Sequence, residues 1–147
     1  FFIKQRALSN LKSIEIGAGL RSCYNALKNN ELLALLGDRD FSNRGILTLF
    51  FGKEAMMPRG PSVLSYRTGA AIVPCFILRN PDDTFSFNFE KPIFTNTEGD
   101  EEAEVQGAMK KYLPILESYI RRYPGQWHVF REFWNRNDKS NSSHTII

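Results

Sequence analysis

The sequence predicts an α/β domain in which helices flank a mixed central β-sheet. Short apolar runs alternate with segments of helical periodicity along the 147 residues, and 42% of the residues are hydrophobic. A chain of this length and composition is long enough to form one domain around a single core. We expect this domain to span residues 1–136, followed by a polar, disordered tail over residues 137–147.

The first predicted elements are a helix and two buried strands. Apolar residues between 20 and 27 recur at helical spacing, and polar residues 28–30 end that helix. The continuous apolar run LLALL at 32–36 predicts a strand buried on both faces, and residues 46–51 predict a second buried strand. Residues 52–59 are expected to form a loop.

A second helix and a hairpin follow. The helix is expected to begin at Gly60-Pro61-Ser62, because proline is tolerated in a first turn, and to end at Gly69. Residues 70–78 are the strongest strand pattern, although Pro74 within them has no N–H and indicates an edge, a bulge or a strand end. Apolar and polar residues alternate over 85–89, which predicts a half-buried strand.

The last predicted element is a long amphipathic helix. Its apolar stripe runs from Val105 to Tyr123, with Pro114 expected to kink it and Pro124 to end it. An acidic run without a basic residue, residues 98–104, leads into this helix.

Composition bounds the function. Lys and Arg number 19 against 16 Asp and Glu, a net charge of +3, and the acidic run makes the rest of the chain clearly basic. This suits an anionic partner, although an ordinary solvated surface is the alternative. No nucleic-acid-binding motif is present, so nucleic acid is not the expected partner.

Cys23 and Cys75 are expected to be small buried residues in a reducing compartment. With His128 and His144 as the only histidines, no metal site is predicted. There is no apolar run of about 18 residues that would span a membrane. The chain begins with Phe1 and shows no signal-peptide pattern, so we expect a fragment or a trimmed chain.

The best candidate site is Asp38-Arg39-Asp40. These residues follow the predicted strand 32–36, and open α/β sheets bind ligands at the carboxyl ends of their strands. The alternative is a turn whose charges are solvated or paired.

Three weaker candidates accompany it, each with a plain structural alternative. The helix start at Gly60 can bind a phosphate or be an ordinary helix start. An apolar loop suits a long acyl chain or belongs to the core, and consists of Phe50, Phe51, Gly52, Met56 and Met57. An aromatic segment either faces a membrane or packs on the sheet, and contains Trp127, Phe130, Phe133 and Trp134.

The order of these motifs is more specific than any one of them. From about Glu31 to Trp134, the strings LLALLGDRD, FFG, GPSVLSYRTGAAIVP and RRYPGQWHVFREFW resemble the lipid A biosynthesis (lauroyl/myristoyl) acyltransferases of the lysophospholipid acyltransferase superfamily. The resemblance implies a glycerol-3-phosphate acyltransferase-like fold, incomplete here at its N-terminus. It implies that Asp38 helps to bind the acceptor with Asp40 as second acid and Arg39 between them, and it matches Arg6 to an arginine of another block.

The resemblance also implies an activity. Such enzymes move a fatty acyl group from acyl carrier protein or coenzyme A, as co-substrate and without a further cofactor, to a glycolipid hydroxyl. The implied location is the cytoplasmic face of the bacterial inner membrane, held peripherally or through a segment outside this chain. Four arginines are expected to face anionic lipid or the acidic carrier protein: Arg59, Arg67, Arg121 and Arg122.

Two departures from the family pattern matter. The catalytic His-x4-Asp/Glu of the family precedes the acid turn, and the 37 residues before Asp38 contain no histidine. We therefore expect the isolated chain to be inactive, and a non-catalytic lipid- or partner-binding module is the alternative. The ending FREFW replaces His-Arg-Arg and resembles the branch that acylates phosphatidylinositol mannosides, so the acceptor stays open between these and a lipid A precursor.

Overall fold

A computed structural model describes residues 5–6, 8–9, 11–14, 19–40, 44–130 and 133–134. The helices in this part of the chain are α1 (Gly19–Lys28), α2 (Gly60–Thr68) and α3 (Glu101–Arg122), with a 3-10 turn at Pro124–Gln126. The strands are β1 (Ile46–Phe50), β2 (Lys53–Met57), β3 (Cys75–Arg79) and β4 (Phe85–Phe89). They form two antiparallel sheets, β1–β2 and β3–β4. The α/β class is confirmed, and the predicted tail at 137–147 lies outside the described residues.

The helices agree with their sequence patterns. As predicted, α2 starts at Gly60 and is capped at its C-terminus by Gly69, and α1 corresponds to the first predicted helix. The side chain of Asp100 caps α3 by accepting a hydrogen bond from the Ala103 amide at 2.9 Å. Pro124 follows the end of α3 and begins the 3-10 turn. None of the helices in the described ranges is long and apolar enough to cross a bilayer.

The prediction of a loop at residues 52–59 is wrong, because most of this segment forms β2. The register pairs Phe50 with Lys53 and leaves the two-residue turn Phe51-Gly52, whose φ angles are 54° and 75°. Two consecutive positive φ values match the twist of an antiparallel pair. The turn was not recognised from the sequence because a bulky residue such as Phe51 seldom adopts a positive φ.

The prediction of a buried strand at residues 32–36 is also wrong. This segment has no strand assignment in the structure, and Leu32 and Leu36 are 93% and 71% exposed. An apolar run forms a strand only where a neighbouring strand supplies backbone hydrogen-bond partners. No described element supplies them here.

The strand predicted at 70–78 is shorter than expected, because regular pairing in β3 begins only at Cys75. Before it, an isolated bridge joins Ile72 to Ile93. Pro74 directly precedes β3, and its carbonyl oxygen accepts a hydrogen bond from the Glu90 amide at 2.9 Å. Its position is therefore the strand end that the missing proline N–H favours.

The core lies between α3, α2 and the β1–β2 hairpin. The buried cluster consists of Phe50, Ala55, Met57, Val63, Ile93, Val105, Ala108, Met109, Tyr112, Leu113, Leu116 and Ile120. Cys23 is buried, as predicted, whereas the prediction that Cys75 is buried is wrong. Cys75 lies on the side of β3 that α3 does not cover, so its apolar neighbours in the sequence do not enclose it.

Candidate functional site

The candidate site is the acid turn, which we define as residues 37–40. The four residues of this turn contact three other parts of the chain: Gly37 contacts α3, Asp38 and Arg39 contact the segment after the 3-10 turn, and Asp40 contacts Gly45 before β1. The conformation of the turn is thus fixed by tertiary contacts, although its four residues are consecutive in the sequence.

The carboxylate of Asp38 is held in place through one of its two oxygens. Its Oδ2 accepts a hydrogen bond from the indole Nε1 of Trp127 at 3.2 Å and lies 3.4 Å from Nε of Arg39. The Asp38 side chain is 21% exposed. Within the described ranges no residue donates to its other oxygen, Oδ1. Oδ2 therefore accepts one hydrogen bond, from Trp127, and forms an ion pair with Arg39, whose Nε makes no hydrogen bond within the described part of the chain.

Arg39 connects the acid turn to the same C-terminal segment. One terminal guanidinium nitrogen donates to the backbone carbonyl of His128 at 3.4 Å. The side chain of Trp127 and the backbone of His128 thus hold Asp38 and Arg39 respectively. The orientation of both charged residues depends on where this segment lies.

Tyr112 of α3 supports the turn from the core. Its hydroxyl donates to the carbonyl of Pro58 at 3.2 Å and lies 3.5 Å from the carbonyl of Gly37. Burial, and secondarily the negative charge of Asp38, raise the pKa of Tyr112 far above its ordinary value. The hydroxyl therefore stays protonated and links α3 to both the acid turn and the start of α2.

Asp40 makes a different kind of contact. Its Oδ2 accepts a hydrogen bond from the backbone amide of Gly45 at 2.7 Å. A Cβ atom at Gly45 would lie 2.8 Å from that oxygen and 2.6 Å from the carbonyl of Met57. Asp40 thus holds the backbone that leads into β1, and it does so at Gly45, where only glycine fits. This contact supports a structural role for Asp40, beside the role as second acid that the resemblance implies.

The aromatic segment packs on the β1–β2 hairpin. The ring centroids of Trp127 and Phe133 lie 6.0 and 5.6 Å from that of Phe50. The indole Nε1 of Trp134 donates to the Phe50 carbonyl at 3.1 Å. These contacts favour packing over a membrane-facing belt for the three residues, whereas Phe130 is 91% exposed.

The apolar loop proposed as an acyl channel is part of the β1–β2 hairpin. Phe50 and Met57 are fully buried in the core, while Met56 is 40% exposed. The amide of Phe51, before Gly52, donates to Glu117 Oε1 at 2.8 Å. An acyl channel beside these residues stays a prediction.

The four arginines expected to face an anionic partner each have a partner within the chain. Arg59 and Arg67 of the α2 region pair with Glu102 and Glu101, both at 2.9 Å. On α3, Arg121 pairs with Glu117 at 3.1 Å and Arg122 lies 4.3 Å over the ring of Tyr119. The acidic run is therefore not a separate patch, because Glu101 and Glu102 pair with Arg67 of α2 and with Arg59 directly before it.

Two further features do not join the site. The exposed side chain of Arg6 makes no hydrogen bond or ion pair with the acid turn, as far as the described residues show. A groove of about 890 Å³ lies between the β3–β4 turn and residues 125–128, and neither Asp38 nor Asp40 lines it. Within the described ranges, no three metal-ligating side chains come together.

Sequence reasoning missed Tyr112 and Gly45 as parts of the site. Tyr112 belongs to the apolar stripe of α3, where nothing distinguishes it from an ordinary core residue. Gly45 follows the polar residues Ser42, Asn43 and Arg44 in the sequence, a setting in which glycine has many uses. Trp127 had a signal, because its string PGQWH is part of the family resemblance. Nothing in the sequence indicated that its indole would bond Asp38.

Comparisons with known proteins agree with this picture. Residues 1–136 match the family model described as bacterial lipid A biosynthesis acyltransferase. A phosphatidylinositol mannoside acyltransferase of Mycobacterium tuberculosis (strain CDC 1551 / Oshkosh) is 27% identical over 140 residues, 90% of this chain and 42% of the relative. One of Mycolicibacterium smegmatis is 26% identical over 137 residues, 90% of this chain and 43% of the relative. The chain spans less than half the length of the curated relatives it matches.

Proposed function

Because the chain belongs to the bacterial lipid A biosynthesis acyltransferase family, we propose that it forms the acceptor-binding part of an enzyme that acylates a glycolipid hydroxyl. One observation carries this proposal beyond the family: Oδ2 of Asp38 is hydrogen-bonded to Trp127 and paired with Arg39, while no donor to its Oδ1 is found among the described residues. A partly buried carboxylate in a fixed orientation is suited to accept a hydrogen bond from a sugar hydroxyl.

The reaction follows from these roles. The acceptor hydroxyl attacks the thioester carbonyl of an acyl carrier protein or coenzyme A donor, so that a C–O bond forms and the C–S bond breaks. The hydroxyl proton is taken by a general base and ends on the released thiol. The resemblance assigns that base to a His-x4-Asp/Glu motif, which we place in polypeptide outside this chain. Asp38 would orient the acceptor for attack.

Two acceptors fit this chemistry. The relatives are named for phosphatidylinositol mannoside, and the family model is named for lipid A biosynthesis. Both acceptors offer sugar hydroxyls beside phosphate. The ending FREFW and the named relatives support a mannoside-type acceptor, and transfer assays with both glycolipids in parallel would decide between them.

We place the enzyme at the cytoplasmic face of the inner membrane, bound to an anionic lipid surface. The net charge of +3 supports this, as does the water-insoluble nature of a glycolipid acceptor. Binding to vesicles of phosphatidylcholine with and without phosphatidylglycerol, measured against salt, tests it. Binding that ignores both anionic lipid and salt would contradict the electrostatic part.

The decisive experiment uses a longer polypeptide that contains the catalytic motif. In it, Asp38→Ala is expected to lower acyl transfer by at least about tenfold, the effect of losing one charged hydrogen bond. The free energy of unfolding should fall by about 1 kcal/mol, as in Trp127→Phe, because both variants remove the same hydrogen bond. Glu98→Gln, which alters an exposed acid away from the turn, is the matched control and should transfer normally.

Two results would count against the proposal. Unchanged kinetics for Asp38→Ala would reduce Asp38 to a structural residue. The 147-residue chain alone is expected to show no transfer from labelled acyl carrier protein, so turnover above the no-protein background would contradict the assignment of the base to another segment. Acceptor binding without transfer by every longer form would favour the non-catalytic module.

A further inference from the structure

The face of the β3–β4 sheet that packs on α3 continues beyond the end of that helix. On this face Phe76 stacks on Tyr119 of α3 with ring centroids 3.7 Å apart, and the register places Asn88 of β4 beside Phe76. The phenylalanines of β4 lie on the other face. Past the end of α3, the groove of about 890 Å³ opens between the β3–β4 turn and residues 125–128. We call it the hairpin groove, and a space of this size is typical of a small-molecule site.

The described part of the chain lines the hairpin groove with three side-chain amides, and two of them build its walls. The Gln126 amide bonds both backbone groups of Arg79: its Oε1 accepts from the N–H at 2.8 Å, and its Nε2 donates to the carbonyl at 3.0 Å. The Asn80 amide donates to the hydroxyls of Thr84 and Ser86 at 2.9 and 3.0 Å. These bonds hold the 3-10 turn against the end of β3, so the groove is formed before any ligand binds.

The third amide, that of Asn88, makes no hydrogen bond with any residue that the structure describes. Its Nδ2 is buried without an acceptor, which costs free energy as long as no partner is supplied. A half-turn about χ2 exchanges the amide nitrogen and oxygen, so this side chain can present either N–H donors or a carbonyl acceptor to the groove. A ligand that both donates and accepts hydrogen bonds matches it.

Two classes of ligand fit the hairpin groove poorly. Anions are disfavoured because Arg79 already pairs with Asp83 at 2.8 Å and because the C-terminal end of α3, with its partial negative charge, lies beside the groove. A peptide strand is disfavoured because Gln126 already bonds both backbone groups of Arg79, which an added strand would need. A neutral, non-peptide ligand remains.

The apolar lining of the groove narrows the class further. Leu78 is half-buried on the same face as Asn88, and Tyr123 is 38% exposed at the end of α3. A tyrosine ring offers an apolar body with a polar tip. A sugar ring combines hydroxyl groups for the Asn88 amide with C–H groups for these two side chains.

The hairpin groove adjoins the acid turn. His128 lines the groove, and its backbone carbonyl accepts the hydrogen bond from Arg39. The preceding residue, Trp127, donates to Asp38. The groove and the candidate acceptor-binding carboxylate therefore lie on either side of the same short segment.

We propose that the hairpin groove binds a neutral hexopyranose through the Asn88 amide, as a second subsite for a carbohydrate unit of the glycolipid acceptor. The subsite role rests on the proposed function, which supplies the glycolipid. In this arrangement the acid turn holds the sugar that is acylated, and the groove holds a neighbouring sugar.

An NMR titration of the 147-residue chain tests sugar binding without any transfer reaction. The probes are methyl α-mannopyranoside and methyl N-acetylglucosaminide, with inorganic phosphate as the anionic comparison. We expect one of the two sugars to shift the side-chain amide signal of Asn88 and the backbone signals of Gly125 and Gln126 in a saturable way. Asn88→Ala should weaken this binding about fivefold, the effect of one neutral hydrogen bond. Asn25→Ala, at an exposed position of α1, is the matched control and should bind as the unchanged protein does.

Three results of the titration would overturn the proposal. The first is no saturable shift with either sugar. The second is a shift of the groove signals by phosphate and not by sugar, which would make the groove an anion site. The third is a sugar response confined to residues 37–40, which would assign binding to the acid turn alone. These results are read from the unchanged protein, so they decide the question even if Asn88→Ala does not fold.

Kinetics of a longer polypeptide that contains the catalytic motif separate this inference from the proposed function. Asn88→Ala should raise the KM for the glycolipid acceptor about fivefold, whereas Asn25→Ala should not change it. An unchanged KM for Asn88→Ala in an active enzyme would overturn the subsite. A longer form that binds sugar in the groove but transfers no acyl group would contradict the proposed function and leave the groove as a sugar site.

Discussion

The indole Nε1 of Trp127 donates a hydrogen bond to Oδ2 of Asp38 at 3.2 Å, although 89 positions separate the two residues. The bond connects the aromatic segment after α3 with the acid turn, which precedes β1 in the chain. Arg39 strengthens the same connection through the backbone carbonyl of His128. The orientation of the candidate acceptor-binding carboxylate therefore depends on a segment far along the chain.

Trp127→Phe tests this connection by removing the donor while keeping an aromatic ring beside Phe50. A hydrogen bond to a charged group contributes roughly 1.5–3 kcal/mol, and partial exposure of Asp38 reduces this, so we expect a loss of about 1 kcal/mol in the free energy of unfolding. Urea unfolding measures it. In a catalytically complete form, the variant should also raise the KM for the acceptor. Trp134→Phe, whose indole bonds the Phe50 carbonyl, should leave that KM unchanged. Equal KM effects would refute the connection.

Gly45→Ala is expected to destabilise the fold by about 1–3 kcal/mol, because the added Cβ would overlap the carbonyl of Met57 and the carboxylate of Asp40. Thermal unfolding measures the change. Gly37→Ala, in the acid turn, is the matched control, since a Cβ there meets no atom within 4 Å. A Gly45 variant as stable as the Gly37 variant would show that the approach is not tight.

A pair of serine variants in α2 tests the cost of an unpartnered hydroxyl. Ser62 is fully buried, and its hydroxyl has no hydrogen-bond partner among the described residues. Ser62→Ala should therefore keep or raise stability, by up to about 1 kcal/mol. Ser65→Ala should lose about 1 kcal/mol, because the Ser65 hydroxyl is hydrogen-bonded to that of Thr95 at 3.1 Å. The prediction fails if Ser62→Ala is the more destabilising of the two.

The raised pKa of Tyr119 leads us to expect a loss of stability at alkaline pH. Its hydrogen bond to Glu90 and then its burial raise its pKa above the ordinary value of 10.0, while Arg122 over the ring opposes this. Folding thus favours the protonated phenol, so the stabilisation is complete below pH 10 and is lost as the pH rises through the folded pKa. Tyr119→Phe should lower stability by about 1 kcal/mol at pH 7 and show a shallower decline above pH 10.

The comparison for Tyr119 is made against the unchanged protein, because the raised pKa of Tyr112 contributes a decline of the same sign in both. Glu90→Gln removes the charge and keeps a hydrogen-bond acceptor. It should bring the alkaline titration of Tyr119, followed by tyrosinate absorbance, towards its ordinary range. Identical alkaline profiles for all three proteins would show that the Tyr119–Glu90 bond is not formed in solution.

Local rules predicted the helices well. The start of α2 at Gly60-Pro61 and the end of α3 before Pro124 follow from which backbones proline permits, and that information lies within a few residues. The strand over 85–89 was also predictable, because its alternation is local. The β1–β2 turn was missed because Phe51 adopts a positive φ that tertiary packing of its ring beside Phe50 and Trp134 supports.

The sequence by itself determined the family, the helix limits, the acid turn as the candidate site and the period of β4. Only the tertiary structure decided that Trp127, His128 and Tyr112 hold this turn, and that the phenylalanines of β4 point away from α3. Burial and long-range hydrogen bonds depend on which elements meet in space. A local sequence pattern indicates that a residue will be buried or paired, but it does not identify the distant residue that it contacts.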